Sequence, residues 1–487
     1  MPDEIEQSPD LGLLHDSVDG RGTGPRSSSL RDRFLKGTAW VFAGKVAASI
    51  LALALNAVLA RLLSPPELGA YFTVLSVVMI GSSIGQLGLD LAVVRLVAAA
   101  IGTGDAGRAR SAIRSVFTYG VIGSVGVGLL LAAGLGQWMA HHVFRSSLIA
   151  AAIPLAAGWL VAWGLQSLVI ETFRGFQRFD LATVLDSVFI YGVCTALFGS
   201  MWIAGRHLSL RTVVLALAIV TGVAALIGGR LILRLSHGGE DDAGPARATV
   251  VAPGELFTLA WPLLVTNITL FLVGAGIDLW VLSAFRPQSD VALYGAAIRL
   301  VAFVSTPFII LQGVAPPLVA ELYAQGKRAD LERAVRAIAT LGGLPAAPAL
   351  LLFVVLGRTI LSAVFGPFYG QAGTILAILS AGRLIAVWTG SSGVALIMTG
   401  HQKAMMNINL IAGAISLAGG IALAPHFGGV GVATATSVGV ALNNLLQLVY
   451  ARRLVGIWTH ADLSPTRLRA FLRRKAAGGA TIERSGS

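Results

Sequence analysis

Long apolar runs dominate the chain from Thr38 onward, and polar residues gather in short stretches between them. Twelve runs can be marked: 38–60, 69–94, 115–136, 147–170, 181–204, 212–229, 256–284, 291–316, 337–357, 374–399, 404–424 and 431–450. Most continue for about 20 residues or more, the length a helix needs to cross ~30 Å of hydrocarbon. A barrel strand would alternate over ~10 residues instead, and only helices and closed barrels satisfy their backbone in lipid. The pattern predicts an all-α polytopic membrane protein with about twelve transmembrane helices.

Composition agrees. Of 487 residues, 55% are hydrophobic and 12% charged, with a mean hydropathy of +0.78; soluble domains carry ~25% charge. The net charge of +12 would suggest nucleic acid in a soluble chain. Here it follows topology. With the N-terminus inside, 27 of the 36 Lys and Arg fall in inner segments, six in outer loops and three (Lys45, Arg299, Arg383) within spans. The positive-inside rule therefore predicts both termini in the cytoplasm, and no nucleic-acid partner is expected.

The halves read as parallel repeats. Glu67-Leu-Gly-Ala-Tyr71 follows span 1 and Asp290-Val-Ala-Leu-Tyr294 follows span 7, each after a proline-bearing turn. The offset of 223 residues covers six spans, an even number, so the repeats would share one orientation. Two six-helix bundles around a central cavity (38–236 and 256–450) would be joined by an acidic cytoplasmic linker, 237–255. Residues 1–37 read as a disordered tail without the apolar region of a signal peptide. Residues 451–487 form a basic tail, in which Leu468, Phe471 and Leu472 mark an interfacial helix on anionic lipid.

Catalytic patterns are absent. No outer loop exceeds about 17 residues and no inner loop about 26, leaving little room for a catalytic lobe. No Gly-rich phosphate loop ending in Gly-Lys-Ser/Thr occurs, and no His/Glu cluster has metal spacing. The single cysteine, Cys194, excludes an intramolecular disulfide and a Cys-based metal site. The pattern points to transport without cofactor or metal rather than to an enzyme.

Several motifs carry a resemblance. Asn56-x-x-Leu-Ala-Arg-Leu-Leu-Ser-Pro-Pro-Glu-Leu-Gly-Ala-Tyr71 and Gly88-Leu-x-x-Ala-Val-Val-Arg95 come first, then Arg174-Gly-Phe-Gln-Arg-Phe179. Trp261-Pro…Gly276-Ile-Asp278, Tyr294-Gly-Ala-Ala297, Phe365-Gly-Pro-Phe-Tyr-Gly-Gln-Ala-Gly, Met398-Thr-Gly-His-Gln-Lys403 and Phe427-Gly-Gly-Val-Gly-Val-Ala433 follow. Over roughly residues 30–457 the chain resembles the polysaccharide-transporter flippases, in the superfamily that also holds multidrug extruders and peptidoglycan-precursor flippases. The resemblance implies movement of an undecaprenyl-pyrophosphate-linked oligosaccharide from the inner to the outer leaflet, with glycan polymerase or export proteins as partners. Gly104-Asp105-Ala-Gly107-Arg108-Ala-Arg110 is similar to a major-facilitator loop but has Ala106 where a basic residue belongs.

Ionisable residues inside spans are costly, at ~2.5–3.5 kcal/mol each near the centre, and mark candidate sites. Lys45 and Asp90 lie in the inner halves of spans 1 and 2, and Asp278 and Arg299 in the outer halves of spans 7 and 8. Each half thus offers an acid and a base that either pair structurally or line the cavity and exchange partners. Arg383 stands in 129 residues without an acid, Glu332 to Asp462. It needs a carboxylate from another span, carbonyls, water or an anionic ligand such as a pyrophosphate, which its planar fork matches. Arg383, Arg299 and Lys45 are the candidate substrate contacts. Asp278 and Asp90 are the candidate coupling residues, for H+ or Na+. Asn56, Gln86, Gln312, Asn407, Asn409, Asn443 and Asn444 are polar span positions for interhelical hydrogen bonds or sugar hydroxyls. A multidrug or small-solute antiporter on the same scaffold is the alternative, opposed by an expected net positive cavity; a membrane enzyme of the glycan pathway is a further one.

Overall fold

The computed structural model describes residues 30–103, 105–237, 275–312 and 315–462, with isolated positions between 254 and 264. The remainder of the linker, about half of span 7 (most of 256–274) and the interfacial helix expected near Leu468 lie outside the described residues. Of the tail expected at 1–37, only 30–37 is described, and it is helical rather than irregular.

Fourteen helices are continuous among the described residues, besides a short 3-10 helix at Pro367–Ala372. They are α1 (Leu30–Leu62), α2 (Pro65–Gln86), α3 (Leu89–Gly102), α4 (Ala106–Val143), α5 (Ser147–Gly175), α6 (Phe179–Ile203) and α7 (Leu210–His237). Then follow α8 (Ala275–Phe285), α9 (Gln288–Gln312), α10 (Ala315–Ala324), α11 (Arg328–Phe365), α12 (Gly373–Thr389), α13 (Ser392–Met398) and α14 (Gln402–Tyr450). There is no strand among the described residues. Ten helical stretches among the described residues are long and apolar enough to span a membrane. The described part of span 7, α8, is shorter, and α14 supplies two spans rather than one.

Helix α14 runs 49 residues, ~75 Å if straight, far longer than a bilayer needs. It reverses at Gly428, whose φ of 55° and ψ of −136° are outside the helical range. The arms then lie side by side. A Cβ at Gly419 would stand 3.1 Å from that of Ala435, one at Gly439 would meet Ser416, and Gln447 Nε2 donates to Asn409 Oδ1 at 3.4 Å. The expected boundary between spans 11 and 12, residues 425–430, is this turn.

Span 2 needs correction. The helix ends at Gln86, and Leu87 and Gly88 take positive φ of 56° and 80°. Residues 89–94 therefore belong to a separate helix, α3, with Asp90 in its first turn. Gly88 also lets the chain approach the segment opening span 7, where a Cβ would stand 2.3 Å from the Ala260 carbonyl oxygen.

The start of α2 is set by Ser64 and Glu67: the Glu67 carboxylate accepts from the Ser64 amide at 3.0 Å and from its hydroxyl at 2.7 Å, closing a capping box. Helix α2 is buried along most of its length and packs on α4, α5 and α9. Its contact with α9 needs glycine on both sides: a Cβ at Gly69 would fall 1.7 Å from the Gln288 carbonyl oxygen, and one at Gly295 would fall 2.2 Å from the Phe72 ring. Nearby, Trp280 Nε1 donates to Ser76 Oγ at 2.8 Å and Arg61 donates to the Ala363 carbonyl at 3.0 Å. Large apolar side chains such as Ile203, Leu226 and Val355 point outward, exposed, which suits lipid and would be a liability in water.

After α14 the chain turns at Gly456 and lies against α11 and α12. Trp458 N–H donates to Glu332, Thr459 Oγ1 to the Thr389 carbonyl at 2.9 Å, and Ala461 N–H to the Trp388 carbonyl at 2.8 Å. The first part of the expected basic tail is thus packed on the bundle.

Two cavities flanking helix α9

The larger cavity, about 310 Å³, is bordered by α1, α2, α5, α6 and α7 of the first half and by α9 of the second. Arg299 of α9 reaches it, half-buried, with its guanidinium 5.5 Å from the centre of the Phe72 ring, a cation–π distance. No carboxylate lies within 4 Å of Arg299 among the described residues. The expected pairing of Arg299 with Asp278 does not form.

The charges at one end of this cavity are satisfied locally. Arg174 bonds Glu171 one turn earlier on α5 and lies 3.9 Å from Asp186 of α6. Among the described residues two arginines and two carboxylates thus border the space, so the net positive cavity expected from the sequence is corrected, over its described wall, to a formally neutral one in which Arg299 has no ion pair. Glu171 and Asp186 were missed because they sit at the ends of spans, where solvated charge is the ordinary reading.

The rest of the wall is aromatic and amide-bearing. Trp159 stacks on Tyr71 (centroids 6.5 Å apart, planes at 15°) and meets Trp163 edge-on at 6.0 Å. Asn56 Nδ2 donates to the Ala52 carbonyl at 2.7 Å, and Gln166 Nε2 to the Leu185 carbonyl at 2.9 Å. Asn56 was marked in the sequence. Gln166 was not, and only its spacing of seven residues from Trp159 on one helix face could have drawn attention to it.

The smaller cavity, about 200 Å³, brings together Asp278 of α8, Arg383 of α12 and Thr436 and Ser437 of α14. Asp278 is buried and accepts from the Tyr294 hydroxyl at 2.8 Å. Arg383 is half-buried and makes no hydrogen bond or ion pair among the described residues. Its nearest source of negative charge in this cavity is Asp278, from outside the acid-free quarter in which Arg383 stands. Ala302 of α9 borders both cavities, so that helix is the partition between them.

The remaining candidates stand apart. Lys45 is exposed and makes no ion pair among the described residues, so the expected Lys45–Asp90 pair is not formed. Lys45 lies mid-way along α1 but near the start of its apolar stretch, Ala43–Leu62, where a four-methylene stem is free to carry its amine out of the apolar layer. Asp90, in the first turn of α3, has Glu171 as a charged neighbour and borders neither cavity. No group of three or more His, Cys, Asp or Glu is placed to hold a metal among the described residues.

Residues 34–323 match the family model described as polysaccharide biosynthesis protein. No curated protein matches the chain in sequence. Among solved structures, the chain is similar to a multidrug resistance MATE family transporter of the MOP superfamily in an inward-facing conformation (TM-score 0.67, 14% identity, 84% of this chain and 94% of that one). It is also similar to the lipid II flippase MurJ, inward closed (TM-score 0.59, 13% identity, 86% and 87%). A third is a MOP superfamily transporter from Pyrococcus furiosus whose binding pocket is described as reversed in polarity (TM-score 0.57, 12% identity, 86% and 96%). At these identities the likeness is one of fold. With more than half its length covered by that family model, this multi-pass membrane chain belongs to the polysaccharide biosynthesis protein family.

Proposed function

We propose that the chain is a flippase that carries a polyprenyl-pyrophosphate-linked oligosaccharide from the inner to the outer leaflet by alternating access. The observation that carries this reading is Arg299, a cation without a carboxylate partner among the described residues, in a cavity whose two carboxylates, Glu171 and Asp186, are engaged with Arg174 and whose remaining polar wall is aromatic rings, amides and hydroxyls. A guanidinium in a low-dielectric site is a strong, bidentate partner for a pyrophosphate, and the polyprenyl tail would stay in lipid. The family match and the flippase among the structural neighbours support it.

Topology supports the direction. With both termini cytoplasmic, as the Lys and Arg distribution favours, the larger cavity extends from mid-membrane towards the inner ends of α5 and α6. The close packing of Gly69 on Gln288 and of Phe72 on Gly295 then lies at the outer end. The six spans before the 237–255 linker and the six after it would rock about this contact. The Asp278–Arg383 cavity is the proposed coupling site: occupancy of Asp278 by a proton or Na+ changes the field on Arg383, which lies across the α9 partition from the substrate. Asp90 and Lys45, at the inner end, would act at most on loading.

One observation favours an antiporter of organic cations, namely the carboxylates of Glu171 and Asp186 in the larger cavity. Both are engaged with Arg174, which leaves Arg299 as the charge without an ion pair among the described residues that border this cavity. In cells lacking the native flippase, Arg299→Ala should insert normally and fail to restore surface glycan. Full restoration would overturn the reading.

A further inference from the structure

Three residues that border the larger cavity each carry a buried polar atom with no hydrogen-bond partner among the described residues: Asn56 Oδ1, Gln166 Oε1 and Trp159 Nε1. All three side chains are at least nine-tenths buried, at 6%, 3% and 1% exposure. Buried polar groups are nearly always paired, and leaving one unpaired is costly, so three on one cavity wall call for a ligand.

Their chemistry is defined by the bonds already made. The amide nitrogens of Asn56 and Gln166 donate to the Ala52 and Leu185 carbonyls. Turning either amide over would set oxygen against oxygen, so the atoms left over are the oxygens, which only accept. Indole nitrogen only donates. The wall therefore offers two acceptors and one donor, all uncharged.

This set discriminates between ligands. A phosphate, which mainly accepts at neutral pH, has nothing to give the two amide oxygens. An apolar cation has nothing to offer any of the three atoms. A hydroxyl both donates and accepts, and a ring bearing several hydroxyls can serve all three. Trp159, Trp163 and Gln166 stand at i, i+4 and i+7 on α5, one face about 10 Å long. The half-exposed Trp163 adds an apolar surface for the C–H face of a sugar.

We propose that Asn56, Trp159 and Gln166 form a carbohydrate subsite that reads the hydroxyls of a neutral sugar, distinct from the anion contact at Arg299. The subsite rests on the flippase reading and assigns a part of the cavity to the glycan rather than to the pyrophosphate. Arg299 binds any polyprenyl pyrophosphate, and the α1–α5 wall selects those that carry sugar.

The test uses the full chain in lipid nanodiscs and two probes, undecaprenyl pyrophosphate bearing a neutral disaccharide and the same lipid without sugar. The quantity read is the ratio of the two dissociation constants on each variant, which cancels any loss of folded protein. Wild type should favour the sugar-bearing lipid at least tenfold. Gln166→Leu, Asn56→Leu and Trp159→Phe should each cut that preference severalfold, whereas Arg299→Gln should weaken both lipids and keep the ratio. Equal affinity of wild type for the two lipids, or an undiminished preference in the Gln166 and Asn56 variants, overturns the subsite and leaves the flippase reading standing. A protein that binds neither lipid overturns both.

Discussion

The hydroxyl of Tyr294 donates to the carboxylate of Asp278 across 2.8 Å, and Arg383 borders the same small cavity without an ion pair to it among the described residues. Opposite charges that share about 200 Å³ without pairing leave room for a third party. If Asp278 is the coupling carboxylate, transport by wild type should rise with an imposed H+ or Na+ gradient. Transport by Asp278→Asn should be the same at every gradient. Retained gradient dependence in that variant would remove Asp278 from the coupling step.

A double-mutant cycle tests whether the two charges act together. Asp278→Asn and Arg383→Gln should each lower transport by roughly tenfold. The double variant should be no worse than the weaker single one, a coupling of about 0.5–3 kcal/mol. Strictly additive losses would mean that the shared cavity has no energetic meaning.

Asp278, Arg299 and Arg383 were all legible in the sequence as charges where charges are costly, and most spans overlap a described helix, although span 2 is broken at Leu87–Gly88 and span 10 at Gly390. What the sequence could not supply was the partner of each charge. Arg299 and Asp278 sit on neighbouring helices in similar depth, which suggested a pair; they lie on different sides of α9. Arg383 lacked any acid in its own quarter, and its neighbour comes from a helix some hundred positions earlier. Lys45 and Asp90 border neither cavity, and for Asp90 the reason is local. The apolar run through Gly88 hid a backbone break, because Leu87 and Gly88 look no different from other span residues until their φ angles are known. Gln166 and Trp159 became site residues only when α1, α2 and α5 were brought together.

The packing of α2 on α9 should be intolerant of any side chain at Gly69. Gly69→Val must push the backbones apart, since a Cβ alone would fall 1.7 Å from the Gln288 oxygen. Thr73, fully buried there, should then become accessible: a Thr73→Cys reporter should react with a membrane-impermeant maleimide in the Gly69→Val background and not in wild type. The only native thiol, Cys194, is buried and gives little background. Equal labelling in both backgrounds would contradict the contact.

Gly428 should be sensitive for a different reason. Its φ of 55° with ψ of −136° is a conformation that side chains resist, and the α14 hairpin turns on it. Gly428→Ala should cost about 1–3 kcal/mol and lower the melting temperature. Gly199, inside α6 with open space around its α-carbon, is the contrast: Gly199→Ala should be neutral or slightly stabilising. Similar melting temperatures for the two variants would argue against the strained turn.

The central claim is transport of a lipid-linked glycan by this chain alone. Reconstituted into proteoliposomes without any other protein, the wild-type chain should move a fluorescent undecaprenyl-pyrophosphate-linked oligosaccharide between leaflets, read by a membrane-impermeant quencher, and Arg299→Ala should not. Movement no faster than in protein-free liposomes would contradict the account.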